Sequence, residues 1–307
     1  MHIPDGFVSL PVAVATGLVT AGVVSVALNK ARDAYGIKQA PLLGLTTAFI
    51  FAAQMVNFPV AGGTSGHLLG GTLAAIILGS PWAGTLCIAT VLIIQAILFA
   101  DGGITALGAN IFNIGIIGVW TGWILTQVLQ RLLGGSKRRL PLAAGIAAAI
   151  SVVAAAVGCG IQLILSGTAP ANLVLPAMSG VHILIGIGEG IITGGVLTYL
   201  ATARPDLLPG EQSEIKGWLI PIVSICLIAG VLSLFASAWP DGLEKVAENL
   251  GFLELAENVR VSIPTPFADY SIEGWGPVGT SITGLVGSAA SFGVAFGLAK
   301  LTKPNNA

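Results

Sequence analysis

The chain has 3 histidines among 307 residues, and one of them is residue 2. In Met1-His2 the terminal amine, the backbone nitrogen of His2 and its imidazole can close successive five- and six-membered chelate rings, fixing three nitrogens nearly in one plane. Planar nitrogen donors suit Ni(II), Cu(II) or low-spin Co(II), whereas zinc takes a tetrahedron and magnesium takes oxygens. The competing reading of His2 is an ordinary surface histidine. Pro4-Asp5-Gly6 then reads as a turn that reverses the chain and tucks the first residues inward, with Asp5 bonding within the turn or capping the next helix. No Lys or Arg precedes Lys30. A cleaved signal peptide is therefore not expected, and the first residues should stay on the mature chain.

His67 follows Ala61-Gly62-Gly63-Thr64-Ser65-Gly66, a run with no side chain larger than Thr64, so backbone can approach a centre closely there. It is the candidate for a fourth nitrogen; the alternative is a helix-terminal histidine bonded to a carbonyl. Asn57 and Ser65 are candidates for orienting that imidazole or its loop. His182 and Glu189 are seven residues apart, two helical turns, and can share a face. An ionisable pair within an apolar segment reads as functional, through support or gating of the centre, direct ligation, or a packing hydrogen bond. The motifs His-Glu-x-x-His, Gly-x-Ser-x-Gly and the phosphate-binding Gly-x-x-x-x-Gly-Lys-Ser/Thr do not occur. The chain reads as a binding protein without its own ATPase site, not as an enzyme.

The elements that must position these residues are membrane elements. Hydrophobic residues make up 54% of the chain with 42 glycines besides, and charged residues are 9%, against about 25% in soluble domains. Mean hydropathy is +0.91. A cytosolic enzyme, a secreted scaffold and a disordered regulator are all excluded. A net charge of −1 and 7% aromatic residues leave no basis for nucleic-acid binding. Cys87, Cys159 and Cys226 are expected to be small buried side chains.

Apolar stretches at 8–28, 40–58, 66–79, 82–100, 105–130, 141–165, 178–200, 217–238 and 279–299 predict an all-α polytopic membrane bundle of about nine segments. Segment 66–79 is shorter than the roughly 20 residues a crossing needs. Continuous apolar runs without alternation exclude a closed β-barrel. With the N-terminus outside and the C-terminus cytosolic, every Lys and Arg except Lys245 and Arg260 falls on the inside. The acidic segment 239–278 then lies outside, with an amphipathic helix expected over Leu243–Val259. The polar break at 204–217 separates a module of about seven segments, 1–207, from a two-span auxiliary module, 208–307. Ala13, Gly17 and Ala21 offer a small-residue face for close helix contact.

In Met1-His2-Ile3-Pro4-Asp5-Gly6, in Asn57-Phe58-Pro59 with Gly63-Thr64-Ser65-Gly66-His67-Leu68-Leu69-Gly70, and in His182 with Gly186-Ile187-Gly188-Glu189-Gly190, the chain resembles the cobalt/nickel substrate-binding membrane subunit of energy-coupling-factor (ECF) transporters, the CbiM/NikM family. The resemblance covers about residues 1–205. The tail, with Trp239-Pro240-Asp241-Gly242-Leu243-Glu244, resembles the NikN-like PDGLE auxiliary subunit fused in the nickel version. The resemblance implies a metal held by the amino terminus of Met1, the backbone nitrogen and imidazole of His2, and His67. It implies Ni(II) or Co(II) as transported substrate, with the fused tail favouring nickel, and no organic cofactor. The implied partners are a transmembrane coupling (T) subunit and cytosolic ABC ATPases, which alone use ATP, in the plasma membrane of a prokaryote. The alternative is a self-sufficient secondary transporter of divalent metal ions, which would need coupling carboxylates such as Glu189 or Asp101 and often shows an inverted repeat. A third reading is a structural membrane protein without substrate.

Overall fold

The computed structural model describes residues 1–34, 40–209, 217–256 and 265–301. Glycine and proline, more than charge, set where its helices begin and end. Helices α1 (Leu10–Ala34) and α2 (Ala40–Gln54) are followed by a two-stranded antiparallel hairpin, β1 (Phe58–Val60) and β2 (Thr64–Gly66), in which Pro59 faces Ser65. Gly62 and Gly63 turn the hairpin at φ values of +77° and +71°, a region that other residues adopt only under strain. The hairpin is the one departure from an all-α fold among the described residues.

Helix α3 (Gly71–Leu78) is short and buried throughout. Helix α4 (Pro81–Ile94) starts with Pro81 in its first turn and runs into a π-helical stretch, Gln95–Phe99. The next span begins as α5 (Leu107–Asn110), loosens into a second π-helical stretch, Ile111–Gly118, and continues as α6 (Val119–Leu132). The long helices α7 (Leu140–Leu165) and α8 (Ala171–Ala203) are followed by α9 (Leu219–Gly230), α10 (Gly242–Leu250) and α11 (Gly276–Leu301).

Among the described residues, six helices are long and apolar enough to cross a membrane: Leu10–Lys30, Pro81–Phe99, Leu107–Leu132, Lys137–Leu165, Ala171–Ala203 and Gly276–Lys300. The other three expected segments correspond to α2, α3 and the shorter apolar stretch Leu219–Phe235. At 8 residues, α3 extends only about 12 Å. Irregular backbone at its ends is tolerated because protein, not lipid, surrounds it.

Small residues set the closest packing. A Cβ added to Gly145 of α7 would lie 2.8 Å from the Gly190 carbonyl oxygen of α8, and one on Gly186 would lie 2.6 Å from that of Ala149. The expected small face of α1 is used in the same way: a Cβ on Gly108 would come within 2.5 Å of the Gly17 Cα. In the C-terminal region α11 packs along α2, and α9 lies beside both.

Two sequence expectations need correction. The amphipathic helix over Leu243–Val259 ends at Leu250, because Gly251 turns left-handed at φ +76°; Leu253–Leu255 is a separate 3-10 turn, and Val259 lies outside the described residues. Cys87 and Cys159 are buried, whereas Cys226 is exposed, because only Ile225 and Ala229 of the thinly buried α9 point inward.

Two glycine substitutions test this packing. Gly108→Ala, crowding α1, should destabilise the protein by about 1–3 kcal/mol. Gly293→Ala, with open space around it, should be neutral or stabilising by up to about 1 kcal/mol. Thermal unfolding of the two variants in detergent measures both.

Candidate metal centre

The first three residues lie outside helix and strand and are held through the backbone of Ile3 by the Asn110 side chain of α5 and by Gly103 in the loop before it. Ile3 N–H donates to Asn110 Oδ1 at 2.7 Å, and the Ile3 carbonyl accepts from Asn110 Nδ2 at 3.0 Å and from Gly103 N–H at 2.8 Å. Asn110 thus imitates the edge of a strand. Asp5 accepts from the backbone N–H groups of Ile104 and Thr105, so the expected turn is anchored to a neighbouring loop and does not cap α1. Gly103 has no room for a side chain, since a Cβ there would stand 2.3 Å from Asp5 N.

This segment delivers the amino terminus into the interior, where Met1 is 3% exposed. The Met1 nitrogen lies 2.9 Å from His67 Nε2 and 2.6 Å from Asp241 Oδ2. His67 Nδ1 is 3.1 Å from the Leu68 carbonyl oxygen. A carbonyl only accepts, so Nδ1 carries the ring proton and Nε2 turns its lone pair to the amine. His2 and His67 stack with ring centroids 4.9 Å apart and planes at 21°. His2 Nδ1 stands 2.6 Å from Asp101 Oδ1, whose other oxygen accepts from the Tyr270 hydroxyl at 2.5 Å. The structure therefore brings the amine and His67 together and leaves His2 Nδ1 on Asp101.

The supporting residues take roles that spacing alone did not assign. Glu189 accepts from Leu69 N–H at 2.6 Å and Gly70 N–H at 2.9 Å, one per oxygen, and so fixes the backbone that carries His67. His182, also on α8, lies against Gly242, with Nδ1 on the Met178 carbonyl at 2.7 Å and Nε2 buried without a hydrogen bond. Ser65 and Asn57 bond to the C-terminal region: Ser65 Oγ donates to the Trp239 carbonyl at 2.7 Å, Ser65 N–H to that of Pro240 at 2.8 Å, and the Asn57 carbonyl accepts from Ser237 N–H. Beside the amine lies a polar cavity of about 440 Å³ lined by His2, His67, Asp101, Asp241, Glu244 and Tyr270, among others.

Asp241 and Asp101, the two carboxylates in contact with Met1 and His2, are both held in the ionised form. Burial opposes the charge on Asp241, but the adjacent amine outweighs it and keeps the carboxyl well below its usual range. Burial likewise opposes charge on Asp101, and His2 with the Tyr270 hydroxyl overcomes it.

Sequence reasoning missed Asp241 and Asn110 as partners of the amino terminus and weighed Asp101 only as a coupling carboxylate. The available signal for Asp241 was a second Pro-Asp-Gly, at Pro240-Asp241-Gly242, echoing Pro4-Asp5-Gly6.

A bundle of apolar helices that buries its own amino terminus between histidine and carboxylate groups has the architecture of a polytopic membrane protein. The chain belongs to the CbiM family, described as a cobalt uptake substrate-specific transmembrane region, which matches residues 2–207; a PDGLE domain matches residues 215–304. It is 40% identical, over 99% of both chains, to the putative fused nickel transport protein NikMN of Archaeoglobus fulgidus. It is 30% identical to the fused nickel transport protein NikMN of Rhodobacter capsulatus, again over 99% of both. Among solved structures it is similar to a truncated transition metal transporter, at 35% identity and a TM-score of 0.60, covering 66% of this chain and 98% of that one.

Glu189→Gln keeps one acceptor and turns an amide donor against a backbone N–H. The expected loss is about 1–3 kcal/mol of stability, together with faster hydrogen exchange at Leu69 and Gly70. Unchanged exchange at those amides would remove Glu189 from the support of His67.

Proposed function

We propose that the chain is the substrate-capturing (S) subunit of an ATP-driven, energy-coupling-factor transporter that takes up nickel or cobalt, with nickel the preferred cargo. The observation that carries this reading is the buried Met1 amine, 2.9 Å from the lone pair of His67 Nε2. Two donors at right angles on one metal, with bonds of about 2.0–2.1 Å, stand about 2.9 Å apart. The remaining donors are the His2 backbone nitrogen and His2 Nδ1, which leaves Asp101 to complete a plane of four nitrogens. Such a plane selects Ni(II) or Co(II) over zinc and magnesium. The two fused relatives carry nickel in their names, and this supports nickel as cargo.

In this reading a hydrated cation arrives from outside through the polar cavity and exchanges water for nitrogen at its inner end. Residues 1–207 form the metal-binding module and residues 208–307 the auxiliary module that covers it. Asn57 and Ser65 fasten the two together, Glu189 fixes the His67 loop, and His182 packs against Gly242 beside Asp241. About nine segments cross the plasma membrane of a prokaryote, with the N-terminus outside and the C-terminus cytosolic. ATP is hydrolysed by partner ABC subunits, and a transmembrane T subunit couples them to this chain. The engagement of Glu189 with two backbone amides speaks against its use as a coupling carboxylate in a secondary transporter.

His2→Ala and His67→Ala, each removing a donor, should weaken nickel binding to the purified chain by more than about 100-fold, beyond the loss typical of an outer partner. A retained N-terminal extension that converts the amine to an amide should do the same. Equilibrium dialysis with metal analysis reads all three, and full binding with a blocked amine would defeat the donor set.

For topology, cysteines at Ser136 and Ser271 in a Cys226→Ser background should differ. An impermeant thiol reagent on intact cells is expected to label position 271 and spare position 136; equal labelling would overturn the orientation.

A further inference from the structure

Asp241 divides its carboxylate between two tasks. Oδ1 accepts from the N–H groups of Leu243 and Glu244 at 2.7 and 2.9 Å, capping α10, while Oδ2 stands 2.6 Å from the Met1 amine. Its seat is built on both sides. The Pro240 carbonyl takes the Ser65 N–H, and Gly242 lies so close to His182 that an added Cβ would come within 2.9 Å of its ring. Leu243 and Val246 bury the inner face of α10, so the helix that carries Asp241 is docked.

An amine that gives its lone pair to a metal keeps two N–H bonds, and these point away from the lone pair. An acceptor on that side decides where the lone pair is aimed. We propose that Asp241 is a positioning residue of the metal centre, contributed by the C-terminal region: Oδ2 accepts an N–H of the Met1 amine, aims that nitrogen toward the metal beside His67, and sets a negative charge next to a divalent cation without binding it. The inference rests on the donor set of Met1, His2 and His67. It makes the centre composite, so that metal affinity belongs to the whole chain and not to residues 1–207 alone.

Capping and aiming can be separated, because Asn and Ser cap a helix about as well as Asp. Asp241→Asn keeps the cap and the volume but sets an amide donor against the amine. Asp241→Ser keeps the cap and no longer reaches. With Ni(II) alone as probe and a chelator as competitor, both variants of the purified full-length chain should bind about 10–100-fold more weakly and shift the ligand-field absorption of the bound nickel. His67→Ala in parallel should abolish binding. Wild-type affinity and spectrum in Asp241→Asn and Asp241→Ser, with binding lost in His67→Ala, would overturn the role of Asp241 and leave the donor set standing. Full binding by His67→Ala would instead bring down the donor set. X-ray absorption of the nickel-loaded wild-type chain requires no variant: four nitrogen neighbours are expected, and an oxygen at bonding distance in the plane would overturn the placement of Asp241 outside the metal's coordination sphere.

Discussion

A positive charge at the start of the chain has been taken out of water, and the surrounding architecture follows from the need to pair it. An ammonium group moved into a low-dielectric interior costs several kcal/mol unless a counter-charge and hydrogen bonds meet it. Met1 is met by Asp241 and His67. Both must therefore stand at fixed places, and the segment that brings Met1 to them must not slide. Asn110 and Gly103 prevent sliding by pairing the backbone of Ile3. Side chains at positions 1 and 3 add to the burial, with Ile3 fully enclosed.

The irregular parts of the backbone gather around this point. The β1–β2 hairpin, the residues between Gly66 and Gly71, and the π-helical stretches Gln95–Phe99 and Ile111–Gly118 all depart from regular helix, and the two π-helical stretches flank the loop that holds Asp5 and Ile3. In a membrane protein such backbone survives only where other protein satisfies its polar groups. Glu189 and the Pro240 carbonyl do so here. The same groups that make the irregular backbone tolerable also fix His67.

The proposed donor set rests on a local feature of the sequence, since adjacency of Met1 and His2 is enough to suggest a chelate of amine, amide and imidazole. The meeting of His67 with the amino terminus was legible because a run of small residues before a histidine marks close backbone approach. The helical membrane bundle followed from composition and apolar runs. The pairing of Asp241 with Met1 was not legible, because it joins positions 240 residues apart and an aspartate before a helix has a sufficient local explanation as a cap. Hydropathy also ran α2 on to the start of the hairpin as one apolar stretch, 40–58, since Met55, Val56 and Phe58 are as apolar as the helix, which ends at Gln54. The length of α10 was overestimated because the periodic apolar positions continue past Gly251, whose left-handed turn outweighs them.

Helix α1 gives the site a mechanical connection to its surroundings. Only 11% of its apolar window is buried within the protein, and its inward side rests on α4 and α5, where Gly17 closely approaches Gly108. Its 21-residue apolar stretch, Leu10–Lys30, is about 32 Å long, close to the roughly 30 Å of bilayer hydrocarbon. A helix held more by lipid than by protein takes its height and tilt from the local thickness of the bilayer. Because only Pro4 to Ser9 separate it from Ile3, a change in the height or tilt of α1 set by a thinner or thicker membrane would reach the pinned amino terminus through six residues, without lipid touching the site.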